Sequence, residues 1–274
     1  MKVTFYGTRG SIPVSDRDFV QVGGNTPSLL VTFASGRVAI LDAGTGIRNL
    51  GNDLLARSLE QFDNIFVGLS HTHWDHIQGF PFFKLAYDIR RHFTIAICGK
   101  DRHAEELETL FGMQMQREFF PTRLDKMGAE MTFWAPDVTR YTTPDGVTVV
   151  ASKQNHPGDS YGYRFEDAGK TLVYCTDVEH MDGIDPGVVA LARDADLLIH
   201  DAQYTPEQLE EKKGWGHSSW EQAVSVAELA GVKKLALFHH DPEHADTLLL
   251  KVEKDCRQRF PEAFLAREGA EIQL

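Results

Sequence analysis

The amino-terminal segments "KVTFYG", "SLLVTFAS" and "RVAILDAG" alternate apolar and polar positions and break at glycine. That period of two predicts three short strands joined by turns. The period then changes: in "GIRNLGNDLLARSLE" the residues Ile47, Leu50, Leu54, Leu55 and Leu59 fall at helical spacing, and "NIFVGLS" after it is a short β-rich run. A helix is expected through "AEELETLFGMQMQREFF" from Ala104, in a segment to Trp134 that holds Phe111, Met113, Met115, Phe119, Phe120, Met127, Met131 and Phe133. Such a stretch reads first as core packing, with a lid or a homodimer face as the alternative. Further strands are predicted at "GVTVVASKQ", "YGYRFED", "KTLVYCTD", "ADLLIHDAQ" and "KKLALFHH", a helix at "SWEQAVSVAELAG", and a last helix from about Ala245 to Arg259. Strands and helices recur in a similar order in both halves without sequence repetition, which suits an α/β chain of two packed sheets flanked by helices.

With 274 residues and no low-complexity or Ser/Gly/Pro-rich linker, the chain is expected to be one domain, residues 1–274. The 28 basic and 40 acidic residues give a formal charge of −12. This repels polyanions except where a local patch or bound cation reverses the field, so a long nucleic acid is not the expected partner. Cys98, Cys175 and Cys256 are odd in number and lack CxxC spacing, as free thiols in a reducing compartment would be, and the cytoplasm is the simplest location. The start, "MKVTFYGTRGSIP", has no apolar leader and nowhere do 18 apolar residues run together, so neither export nor a membrane span is expected.

The chemistry concentrates in "LSHTHWDHIQGF", where His71, His73, Asp75 and His76 follow an apolar strand. On extended backbone two residues apart point to one side, so His71 and His73 share a face, and the following turn brings Asp75 and His76 to a neighbouring point. That geometry suits two adjacent ions. Imidazole and carboxylate fit zinc, and also manganese or iron. Two divalent cations would add four positive charges at one spot and draw a small anion despite the acidic chain.

The HxHxDH pattern is the hallmark of the metallo-β-lactamase superfamily, which the sequence resembles along nearly its whole length. The resemblance implies a four-layer αββα sandwich with a dinuclear site between the sheets. It also implies the remaining ligands: His156 in "KQNHPGD", Asp177 in "VYCTDVEH" and His239 in "LALFHHDP". His71, His73 and His156 then hold one metal, Asp75, His76 and His239 the other, and Asp177 bridges them. His240 competes for the last role, but family members end this strand with "LxLxH", which aligns His239, leaving His240 outside the ligand set or facing substrate. Cys175 reads as a small core residue, and Asp42 in "LDAGTG" as the orienter of a ligating histidine.

A narrower resemblance lies in "LLIHDAQYTPEQLEEKKGWGHSSW", similar to the carboxyl-terminal part of the phosphodiesterase branch: tRNase Z, the phosphoribosyl cyclic phosphodiesterases and cyclic-nucleotide phosphodiesterase-like proteins. There a carboxylate pairs with the histidine of "GHS", which implies Asp201 and His217 here. Attack on a phosphodiester leaves a poor alkoxide that needs a proton, and a histidine held by a carboxylate can supply it. His217 could otherwise cap the next helix, for which Ser218 is the better candidate. The segments "GTRGSIPV" and "GGNTPSLLV" resemble the same branch, with Arg9 and Asn25 able to approach the site.

The resemblance thus implies two-metal hydrolysis of a small phosphodiester, cyclic or linear, with two divalent ions, Zn2+ before Mn2+ or Fe2+, lowering the pKa of a shared water. Asp75, besides ligating, would accept a proton from the nucleophile, and Asp201 and His217 would complete the catalytic set. In tRNase Z a tRNA-gripping arm often lies between the third histidine and the bridging aspartate; here that interval is 177 minus 156, or 21 residues, too short for one. A thioester or lactone hydrolase, a tRNA 3′-processing endonuclease and a non-catalytic sensor are the alternative readings.

Overall fold

The protein is described from a computed structural model that covers residues 1–57, 64–98, 103–137 and 139–274. The first sheet contains β1 (Lys2–Gly7), β2 (Ser28–Thr32), β3 (Val38–Leu41), β4 (Asn64–Gly68), β5 (His92–Ala96) and β6 (Glu130–Trp134) side by side, with β14 (Glu271–Gln273) outside β1. The second contains β7 (Arg140–Thr142), β8 (Thr148–Gln154), β9 (Ser160–Asp167), β10 (Lys170–Cys175), β11 (Leu197–Asp201), β12 (Leu235–Phe238) and β13 (Ala263–Leu265), again in neighbour order. In both sheets one half pairs antiparallel and the other parallel: the parallel stretch is β3 to β6 in the first and β10 to β13 in the second. This is the two-sheet order expected from the repeated pattern of strands and helices.

Alternation along the strands assigns the layers. Leu172 and Tyr174, Leu197 and Ile199, and Ala236 and Phe238 belong to the core shared with the first sheet, while Val173, Cys175, Leu198, Leu235 and Leu237 join a second core. That outer core is closed by α4 (Pro186–Ala192), α6 (Trp220–Ala230) and α7 (Asp246–Arg259), through Val188, Leu191, Val224, Ala227, Leu249 and Val252. On the first sheet, α1 (Ile47–Ala56) buries Ile47, Leu50 and Leu54, and α3 (Ala104–Gln114) buries Leu107 and Phe111. Two short helices, α2 (Trp74–Ile77) and α5 (Pro206–Glu211), lie in the loops. No helix among the described residues is long and apolar enough to cross a membrane.

Several boundaries differ from expectation. The helix from Ala104 stops at Gln114 rather than Phe120. Its buried stripe is Leu107, Phe111 and Met115; no apolar anchor follows until Phe120, which precedes Pro121 and is biased away from helical backbone. The Met/Phe-rich segment is divided, with Phe111 and Met115 fully buried and Phe119 70% exposed. The end of the first predicted helix, Ser58 to Glu60, lies outside the described residues. Ser219, not Ser218, caps α6, in a capping box with Gln222, and Gly231 ends it at φ 66°; Ser218 instead donates its hydroxyl to the carbonyl of Val178.

Candidate metal centre

The site lies where the parallel strands of both sheets end, the usual place for ligands in sheets of this kind. From the first sheet, β4 runs into His71, and His73 is the residue before α2, so that Asp75 and His76 lie on the first turn of that helix. From the second, Asp177 follows β10, Asp201 ends β11 and His239 follows β12. Asp42, Asp177 and His239, each just past a strand, have left-handed backbone at φ 59°, 54° and 58°. An L-residue there costs of order 1–3 kcal/mol and persists only where its surroundings fix it. Here the reversal turns each side chain into the gap between the sheets.

Two clusters result. In one, His156 Nε2 is 3.0 Å from His73 Nδ1, and His71 stands beside both rings. In the other, His76 Nε2 and His239 Nε2 are 3.3 Å apart and lie 3.4 and 3.2 Å from Asp75 Oδ2. Asp177 spans them. Its Oδ2 is 3.5 Å from His71 Nε2 and 3.8 Å from His156 Nε2, while its Oδ1 is 3.3 Å from both His76 Nε2 and His239 Nε2. A tetrahedral ion with bonds of ~2.0–2.1 Å places neighbouring donors about 3.3 Å apart, which these separations approach. His71 Nε2 is buried and has no hydrogen-bond partner, so the residues present fit a metal.

The opposite ring atoms are tied down. His76 Nδ1 donates to Asp42 (2.8 Å), His156 Nδ1 to the Gly216 carbonyl (2.8 Å) and His239 Nδ1 to Gln203 Oε1 (2.8 Å). Each bond fixes the tautomer so that the Nε2 lone pair faces the centre. Asp42 also accepts from Ser70 N, Ser70 Oγ and Tyr174 OH, and Ser11 N donates to Asp75 Oδ2 at 2.7 Å.

Asp42, Asp75, Asp177 and Asp201 are all buried, and among the described residues their charged partners are histidines, with no lysine or arginine. Carboxylates gathered without fixed cations call for bound ones. Burial and the neighbouring His76 push His71 well below the ordinary histidine range, and burial likewise lowers His73 and His156. At His76 burial is outweighed by Asp177, Asp75 and Asp42, which raise it well above that range. The first cluster therefore offers neutral imidazoles, while the carboxylates gather around His76, where a bound cation would take the place of the proton they favour.

His217 sits beside these clusters. Its Nδ1 is 2.8 Å from Asp201 Oδ2, and its ring stacks on His239 at 4.9 Å between centroids. Burial alone would lower it, but Asp201 and, more weakly, Asp177 lift its pKa to about 9. Asp201 is itself aimed by the backbone amides of Gln203 and Ser218 on Oδ1.

The structure brings together all nine expected site residues: His71, His73, Asp75, His76, His156, Asp177, Asp201, His217 and His239. His240 is buried and directs Nε2 to the Ala266 carbonyl at 3.0 Å, so it does not face substrate. Cys175 lies in the outer core, where burial raises its thiol to about 12. Arg9 and Asn25 do not reach the site. Arg9 is enclosed by the carbonyls of Gly23, Asp241 and His244, and Asn25 pairs with Glu268. The residues that do approach are their neighbours: a Cβ on Gly10 would come within 2.5 Å of His239 Nδ1. Sequence reasoning missed Gln203, two residues beyond Asp201, and Ser11.

Residues 37–240 match the family described as the beta-lactamase superfamily domain, and the chain belongs to it, within the metal-dependent hydrolases of the metallo-β-lactamase fold. Among curated proteins it is 26% identical to a protein named ribonuclease Z from Haloferax volcanii over 317 aligned positions, covering 100% of this chain and 95% of that one. Among solved structures it resembles the metallo-beta-lactamase fold protein YhfI from Bacillus subtilis at a TM-score of 0.73 and 24% identity, covering 99% and 98% of the two chains. A diphosphatase of the PhnP family shares the fold at a TM-score of 0.68 and 18% identity, with coverage of 100% and 97%.

Proposed function

We propose that residues 1–274 act as one domain, a dinuclear phosphodiesterase for a small, linear or cyclic, phosphodiester, with zinc the first candidate metal. His71, His73 and His156 would hold one ion, Asp75, His76 and His239 the other, and Asp177 both. Such a pair of ions supplies a water made nucleophilic near neutral pH and a clamp for the phosphate oxygens. Everything else falls to the chain. Asp75 would ligate through Oδ2, the oxygen that faces His76 and His239 and that the Ser11 amide also tethers, leaving Oδ1 to take a proton. His217 holds its Nδ1 proton against Asp201, whose charge raises its pKa to about 9, and this leaves Nε2 to deliver a proton to the departing alkoxide. The histidine–aspartate pair against His239 is the observation that carries this reading.

The small substrate rests on one further feature. Between His156 and Asp177 the chain forms the plain hairpin β9–β10, turned through Ala168 and Gly169 at φ 49° and 75°, with no arm to grip an RNA. The alignment with the Haloferax protein runs to 317 positions against 274 residues, so at least 43 positions there have no counterpart here. The name of that relative nevertheless favours RNA as the second reading, and net charge alone does not decide against it.

The test is a panel of small phosphodiesters, a precursor tRNA and a thioester, assayed with metal-loaded wild type and His217→Ala. The variant is expected to keep its metal and to lose about 10²–10⁴-fold in rate on alkyl phosphodiesters, but far less on aryl diesters, whose leaving groups need no proton. Cleavage of the thioester alone would overturn the proposal, and cleavage of the tRNA alone would replace the small substrate by RNA.

A further inference from the structure

Trp215 lies two residues before His217, in a setting that packing does not explain. Its ring is 59% exposed, although burying an indole is among the more stabilising things a side chain can do. The loop that carries it is held rigidly. Glu179, itself buried, accepts from Gly214 N (2.6 Å) with one carboxylate oxygen and from Gly216 N (2.9 Å) with the other, bracketing Trp215 on both sides. Both glycines have left-handed backbone, φ 87° and 89°, and a Cβ on Gly216 would collide with His156 and Pro157. The Gly216 carbonyl fixes His156, and the residue after Gly216 is His217. Lys212 Nζ lies over one face of the indole, 4.1 Å from its centroid, leaving the other face open.

Trp74 is also exposed, 68%, but for a simpler reason: Asp75, His76 and Ile77 bury the remaining sides of α2, and its first residue has only the outward side left. At Trp215 two glycines in left-handed backbone and a buried carboxylate present the ring.

We propose that the open face of Trp215 is a stacking subsite for a nucleobase carried by the phosphodiester, a reading that rests on the phosphodiesterase activity proposed above. The position fits. The platform is two residues from His217 and one from Gly216, whose carbonyl holds His156, so in this proposal a base on the leaving nucleoside would lie over it while the phosphate meets the metals. Every base has a π face, so stacking selects bases over non-aromatic groups without choosing strongly among them. The cation on the far face of the indole also favours a rigid ring position.

The test compares wild type, Trp215→Ala and Trp215→Phe, metal-loaded, on an adenosine cyclic phosphodiester and on the matching base-free ribose cyclic phosphate. Trp215→Ala should raise KM for the adenine-bearing substrate by about 5- to 150-fold with kcat little changed, Trp215→Phe should recover most of it, and the base-free substrate should not respond. Equal effects on both substrates, or none, would overturn the subsite. Binding is read separately in a Trp74→Phe background. Adenosine monophosphate should quench tryptophan fluorescence saturably, ribose 5-phosphate should not, and Trp215→Phe should abolish the quench. Equal quenching by both ligands, or a quench that survives Trp215→Phe, contradicts the proposal, as does a change of molecular mass in Trp215→Ala that shows the indole covered by a second copy. If wild type binds the nucleotide through Trp215 yet cleaves no phosphodiester, the subsite stands and the phosphodiesterase reading falls.

Discussion

The two sheets supply the candidate centre in opposite ways. The first contributes His71, His73, Asp75 and His76 within six residues at the end of β4. The second contributes His156, Asp177, Asp201, His217 and His239 from separate loops and strand ends, spread over more than eighty residues of chain. A compact motif can be positioned by local backbone, whereas scattered residues depend on the register of the sheet and on left-handed steps such as those at Asp177 and His239. The first half is therefore a local device and the second a property of the whole fold.

Breaking the junction should have the largest effect. Asp177 is the residue whose two oxygens face the two clusters, so Asp177→Asn is expected to lower metal content at both positions and bring hydrolysis to background. Elemental analysis beside kinetics checks this, and a variant that retains two ions and near-normal rates would separate the halves.

Next come the orienting groups. Asp42 holds His76 on the first sheet's side, and Gln203 holds His239 on the second's. Loss of such a partner typically costs 10- to 100-fold in metal affinity. Asp42→Asn should be the more severe change, because Asp42 also accepts from Ser70 and Tyr174, and competition titration with a chelator measures the difference. His76 and His239 face the same ion, so a larger loss in Gln203→Ala would mean that the scattered half contributes more to holding that ion than the compact one.

The smallest effect concerns acid. The second sheet's side buries His180, His200 and His240 outside the ligand set; burial lowers all three, and with His200 beside His180 and the Arg9 guanidinium beside His240 these two fall to about 3. A histidine depressed in the folded state takes up protons on unfolding, so its stabilising contribution is present above the unfolded value near ~6.5 and is lost as pH falls towards the folded value. Amide exchange recorded between pH 7 and 5 should show protection lost first in β10 to β12, with the first sheet following; the reverse order would contradict this assignment.

The same contrast explains what could be read from sequence. The long alternating strands and the helices with a clear apolar stripe, such as α1 and α6, are visible as periods. The three-residue strands β7, β13 and β14 carry too few alternations to register, and β6 is hidden in the Met/Phe-rich segment read as core packing. HxHxDH is legible by itself, since its spacing alone implies convergence, whereas His156, Asp177 and His239 needed the family resemblance. Gln203, Ser11 and Glu179 act through hydrogen bonds to partners distant in sequence or reached by a turn, for which no local period exists. Arg9 and Asn25 were drawn towards the site by their glycine-rich neighbours, but it is the bare backbone of Gly10 and Ser11 that reaches in, while the long side chains turn back to brace the loop.

The central claim, that both metal positions must be filled for phosphodiester hydrolysis, is tested most directly by titrating the stripped protein with zinc while following cleavage of a small phosphodiester. The account predicts that activity rises with the second equivalent of metal per chain and then levels off. Full activity at one equivalent, or no cleavage of any phosphodiester at two, would contradict it.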